Sequence, residues 1–169
     1  VSIATEWRPE SNFLEESQSF TASTARVSVK LLAPFVVAAQ ELGLRVDVGL
    51  AGVGLSRSDL ENPDLRVSHA LVDRMLRGAL AQSGERDLGL LAAEHLQPDH
   101  LDIVEYTARA QSTLRGAIEH SIRYYALLHD GFEADLQIMD DRAVLSVGFG
   151  SLPVAECSLE FVLAVHLMA

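Results

Sequence analysis

The chain has 169 residues, enough for one domain with a real core, and 49% hydrophobic with 22% charged residues is a globular composition, not a disordered one. Its formal charge of −11, with Lys30 as the sole lysine, argues against direct binding of nucleic acid or of an anionic membrane surface. The single cysteine, Cys157, rules out an internal disulfide and suits a reducing compartment. The longest strongly apolar run, Leu31 to Ala39, is interrupted by Pro34 and falls far short of the roughly 20 residues a membrane-spanning helix needs. No secretory signal is evident, and both ends read as fragment ends.

Residues 1–26 are polar and weakly periodic, and read as a flexible arm in which Trp7, Phe13 and Phe20 are available for docking. Val27-Ser28-Val29 is extended in pattern. A helix is predicted from Leu31 to Leu42, with Pro34 in its first turn and Gly43 as its stop. Val46 to Leu50 is a short helix or turn, Ser56 caps one further turn ending near Leu60, and Asn62-Pro63-Asp64 is a turn. Ser68 then caps a strong helix with Leu71, Val72, Met75, Leu76, Ala79 and Leu80 on one face, closed by Gly84. Asp87 caps the next, which carries Leu88, Leu91, Ala92 and His95. Gln97-Pro98-Asp99 breaks the chain before a short helix from Leu101 to Ala110.

Ser112 to Phe149 organises the remainder. Leu114, Ile118, Ile122, Tyr125 and Leu128 share a helical face, Ser112 is the expected N-cap, and Gly131 the expected left-handed terminator. The period then changes to two: Phe132, Ala134, Leu136 and Ile138 alternate with polar residues, Asp140-Asp141-Arg142 turns, and Ala143, Leu145, Val147 and Phe149 alternate again. After Leu152-Pro153, a last helix from Ala155 to Ala169 presents Leu159, Val162, Leu163, His166 and Leu167 on one broad face. The fold class is therefore α+β, mainly helical, with a small antiparallel hairpin.

No reaction can be assembled from these residues. Gly49, Gly52 and Gly54 lack the order and the Gly-Lys-Ser/Thr ending of a phosphate loop, and read as a helix end and turn. His95, Asp99, His100 and Asp102 are metal-ligand types in one loop, without a second cluster to complete a site. Cys157 lies on an apolar face, and no oriented base selects it or any histidine. No metal or cofactor is expected, and the chain does not read as an enzyme. Tyr106, Arg109, Tyr124, Tyr125 and His129 are the candidate ligand contacts. Tyr125 and His129 stand four apart on one helical face, and amphipathic rings with an arginine suit a mainly apolar pocket with a few directed hydrogen bonds. For each of the aromatic residues, ordinary core packing is the competing reading.

Four segments in order, Leu42-Gly43-Leu44, Gly54-Leu55 with Leu60 to Ser68, Ser83 to Ala93, and Gln111 to Ile118 with Arg123 to Leu128, resemble the N-terminal effector-binding and dimerisation domain of AraC/XylS-type transcription regulators. The resemblance is to the mainly helical branch, often labelled arabinose-binding-type. It runs from about Val27 to Ala169 and rests on the ordered set, since no single segment is specific. It implies a bacterial cytoplasmic regulator, a small-molecule effector, a homodimer, and DNA contact only through a C-terminal helix-turn-helix domain that this sequence lacks. It also implies that residues 27–169 form a sensor domain incomplete at its C-terminal end. Asp102 to Tyr106 departs from the family pattern, keeping only the tyrosine. The alternative is a ligand-free interaction module, dimerising through the apolar faces of Leu31 to Leu42 or Ala155 to Ala169.

Overall fold

The computed structural model describes residues 24–84, 87–97 and 100–168, with the backbone alone at 168. Trp7, Phe13 and Phe20, together with Pro98 and Asp99 of the expected break, lie outside the described residues. The fold is mixed α+β, mainly helical, with two antiparallel two-stranded sheets.

The first sheet pairs β1 (Arg26–Ser28) with β2 (Arg66–Ser68), Val27 opposite Val67. On its other edge β1 meets the segment after the sixth helix. The Ser28 N–H donates to the Leu128 carbonyl at 2.7 Å, the Asp130 N–H to the Arg26 carbonyl at 3.0 Å, and Val27 bridges His129. Arg66 clamps this junction, giving one Nη2 bond to Asp130 Oδ1 at 2.5 Å and an Nη1 bond to the Leu127 carbonyl at 3.1 Å. β1 is thus the middle strand of a small hub, and Ala25, Val27 and Val29 around it are buried.

Beyond β1 the chain makes a 3-10 turn and enters α1 (Ala33–Glu41), with Pro34 in the first turn as expected. Gly43 ends α1 at φ +75, a left-handed conformation that costs glycine little. α2 (Val46–Ala51) follows and docks on α1 through Val36, Val46 and Leu50. Ser56 and Asp59 form a capping box for the next 3-10 turn, and these hydrogen bonds hold the Asp59 carboxyl below its usual range. α3 (His69–Ser83) buries Val72 and Leu76 and ends at the left-handed Gly84. α4 (Leu88–Glu94) is packed between α1 and α7 (Glu156–Met168). α5 (Ile103–Arg109) packs on α6 (Leu114–Tyr125), and β3 (Glu133–Ile138) pairs with β4 (Ala143–Gly148), Leu136 opposite Leu145.

Three local expectations change. The N-cap of α6 is Thr113, not Ser112: Thr113 has the extended conformation a cap needs, and its hydroxyl accepts from the Gly116 N–H at 3.1 Å. Gly131 is not left-handed, because α6 already ends at Tyr125 in a tight turn. Its missing side chain serves packing instead, as a Cβ there would sit 2.2 Å from Leu152 Cδ1. The broad face of α7 divides into two. Cys157, Phe161, Val162 and His166 point into the core, while Leu159, Leu163 and Leu167 form an outward row. Likewise Leu114 and Ile138 are exposed, because the first turn of α6 and the tip of the hairpin reach past the core.

Candidate functional site

Among the described residues, a small inner cavity and a larger open groove lie back to back. The inner one, about 40 Å³, lies between β1, the start of α3, the end of α6 and α7, and is lined by His69, Asp73, Tyr125 and His129 among apolar neighbours. That is room for a few waters, not for a metabolite. The hydrogen bonds around it determine the tautomers of two buried histidines. The Gly131 N–H donates to His129 Nδ1 at 3.0 Å, so that nitrogen carries no proton. His69 Nε2 meets the Pro153 carbonyl at 2.7 Å, so that nitrogen must carry one. His129 Nε2 and His69 Nδ1 are 2.9 Å apart, and the consistent assignment is His129 donating to His69. A neutral relay therefore runs from Gly131 through His129 and His69 to Pro153. A proton added to either ring would set two donors face to face. Burial first, then the nearby His69 and the Arg66 guanidinium, push the His129 pKa down to about 3.

Tyr125 packs its ring 4.1 Å from that of Phe132 and is almost wholly buried. Its hydroxyl has no hydrogen-bond partner among the described residues, and burial raises its pKa. Asp73 accepts from Arg77 Nε at 2.8 Å through one oxygen, leaving Oδ1 buried without a partner among the described residues.

The larger cavity, about 260 Å³, is an open groove between α1, α2 and α3. Phe35, Val36, Val46, Met75 and Leu76 form its apolar lining, and the exposed Arg45 and Arg74 also line it. Gly49 in α2 and Gly78 in α3 line it too. Neither glycine has a positive φ, and a Cβ on either would meet nothing within 4 Å. Phe35 and Leu76 belong to both cavities, so the wall of the groove is also the wall of the inner chamber.

Of the five residues expected at a ligand site, the structure brings two together: Tyr125 and His129 both line the inner cavity. Tyr106 is 74% exposed on α5 and Arg109 pairs with Glu105 at 2.8 Å, while the half-buried Tyr124 lies beside the His120 ring. None of these three lines either cavity. In the histidine–aspartate loop, His95 meets Glu41, Asp102 pairs with Lys30, and His100 accepts from the Gln97 N–H. Cys157 is buried, with its thiol pushed up to about 12 chiefly by desolvation, so it stays protonated and inert at neutral pH. Sequence reasoning missed His69 and the groove. The first gives no signal across a separation of 60 residues. The second left one: a glycine within a strongly periodic helical segment, Gly78, with no turn to explain it.

Residues 43–169 match the family described as the arabinose-binding domain of AraC transcription regulators, at their N-terminus. A curated relative, the ornithine utilization regulator of Pseudomonas aeruginosa, is 29% identical over 100 residues, which is 59% of this chain and 29% of the relative. The alignment thus spans less than a third of that relative's length. With three quarters of its length inside the family match, the chain belongs to the arabinose-binding-type N-terminal domains of AraC transcription regulators.

Proposed function

We propose that this domain is the sensor of an AraC-type regulator in the bacterial cytoplasm, binding a small-molecule effector in the groove between α1, α2 and α3. Occupancy controls DNA binding by a helix-turn-helix domain of the same polypeptide. The observation that carries this reading is the pair of helix-interior glycines, Gly49 and Gly78, facing open space in a mainly apolar groove. An interior glycine costs a helix about 1 kcal/mol relative to alanine, and here neither close packing nor backbone conformation accounts for it. Room for a ligand does.

The effector acts by stabilising one of two conformations, and it must bind them with different affinity. Phe35 and Leu76 are the elements to move, since both cavities share them. Phe35 also packs on Phe161 of α7, ring centroids 5.0 Å apart. In this scheme Tyr125 and His129 read the shift from behind the groove wall and do not touch the effector. The α5–α6 surface carrying Tyr106, Arg109 and Tyr124 is the rival location.

Homodimerisation is the second part of the proposal. Leu159, Leu163 and Leu167 follow an i, i+4, i+8 spacing on the outward side of α7 and supply an apolar stripe for a second copy. Leu163→Glu in the full-length protein is expected to shift its sedimentation toward monomer. A dimer unchanged by that substitution places the interface elsewhere.

The sensor reading is tested with a promoter fusion in the host, scanned over carbon and nitrogen sources. Ornithine is included among them, because the relative is named for ornithine utilization. Gly78→Phe should fill the groove and abolish the response while protein level is kept. A response equal to that of the parent protein would refute the assignment of the groove.

A further inference from the structure

The groove is chemically unlike the rest of the molecule. The chain holds 24 acidic residues against 13 basic ones, yet among the described residues no aspartate or glutamate lines this groove, and two arginines do. Most of the other described cations are engaged: Lys30 with Asp102, Arg57 with Asp47, Arg66 with Asp130, Arg77 with Asp73, Arg109 with Glu105 and Arg115 with Glu119. Arg45 and Arg74, like Arg26, Arg123 and Arg142, hold no carboxylate on the guanidinium group in the described structure, and of these five it is Arg45 and Arg74 that line the groove. In a protein this acidic, carboxylates are abundant for any arginine free to take one. Two guanidinium groups left without such partners beside an apolar cavity make a site for an anionic group on an apolar body. A guanidinium presents a planar fork of donors that matches a carboxylate in two parallel hydrogen bonds. The volume, about 260 Å³, suits a small molecule and excludes a folded partner.

Accepting the groove as the effector site, we propose that it selects a small, mainly apolar monocarboxylate, its charge met by Arg45 and Arg74 and its hydrocarbon part by Phe35, Val36, Val46 and Met75. The same lining disfavours a cationic amino acid, since among the described residues it offers no acidic side chain to meet an ammonium group. The relative's name therefore does not transfer to this chain's ligand.

The test is isothermal titration of the full-length protein with hexanoate, phenylacetate and benzoate, each beside its neutral amide, and with ornithine as the cationic control. At least one carboxylate should bind, with its amide weaker by about tenfold or more. Arg74→Gln and Arg45→Gln should each remove most of that preference, Gly78→Phe should remove binding with its circular dichroism spectrum unchanged, and Arg115→Gln, at an exposed arginine outside the groove, should retain binding. Equal binding of acid and amide, lost in Gly78→Phe, overturns the anion selectivity and leaves the groove as the sensor site. No binding by any carboxylate, or ornithine binding in preference to them, also overturns it. Failure of the sensor reading is seen separately, as a promoter response that Gly78→Phe does not change.

Discussion

At the residue scale, the two buried histidines dominate. His129 can accept from the Gly131 N–H and donate to His69 only while neutral, and its folded pKa is depressed to about 3 from an ordinary 6.5. The unfolded chain therefore takes up this proton first as pH falls. Stability is full above about pH 6.5 and is lost progressively down to about pH 3. Urea unfolding at pH 5 should show roughly 2 kcal/mol less stability from this group than at pH 7.5. His166, also depressed by burial, adds in the same direction. His129→Gln should flatten the dependence, and an unchanged slope in that variant would exclude the relay as its source. Tyr125 makes the opposite kind of prediction. Its hydroxyl is buried without a protein partner, so Tyr125→Phe should leave stability unchanged or raise it by up to about 1 kcal/mol. A loss of 2 kcal/mol or more, on the order of two net hydrogen bonds, would mean that the hydroxyl is satisfied. The nearness of Tyr125 and His129 was legible from their spacing, but not as a shared helical face: α6 ends at Tyr125, and His129 lies beyond a tight turn, bridged to Val27 of β1. Their partner His69 was not legible, since a contact made across β-strand pairing leaves no local mark on the sequence.

At the scale of elements, two glycines in helices separate packing from function. Gly89 lies where α4 crosses α7. A Cβ there would stand 2.2 Å from the Cys157 carbonyl oxygen and 2.6 Å from Glu160 Cβ. Gly89→Ala should therefore destabilise by about 2–3 kcal/mol, the cost of forcing apart a packed helix pair. Gly78→Ala has no such obstacle and should stabilise by up to about 1 kcal/mol through helix propensity. Thermal or denaturant midpoints of the two variants test this contrast, and movement in the same direction would defeat it. The helices themselves were readable from their periodicity and stops: α3, closed by Gly84, follows the sequence pattern closely. The faces were less readable. Leu159, Leu163 and Leu167 are as apolar as Phe161 and Val162, and only the position of α4 decides which row is buried. The caps erred by one residue where Ser112 and Thr113 stand together, both able to accept from a first-turn N–H.

At the scale of the molecule, the groove and the inner chamber form one connected system. Phe35 and Leu76 face both, the histidine relay ties the chamber to the β1–β2 hub and to Pro153, and α7 begins three residues after Pro153. A ligand that moves Phe35 therefore acts on the element whose outer leucines are proposed to meet a second copy. The groove itself was hidden in the sequence, because its walls come from three helices and its defining feature is a lack of side chains. Tyr106 and Arg109 were prominent in the sequence for the opposite reason: they are large and polar-tipped, and the fold places them facing solvent.

The most direct measurement is hydrogen–deuterium exchange of the full-length regulator with and without its inducing small-molecule fraction. Slower exchange centred on residues 46–54 and 72–82, with a weaker effect at residues 125–131, is the expected result. Protection centred on residues 103–125, or no change in any helix of the domain, would contradict a groove-bound effector.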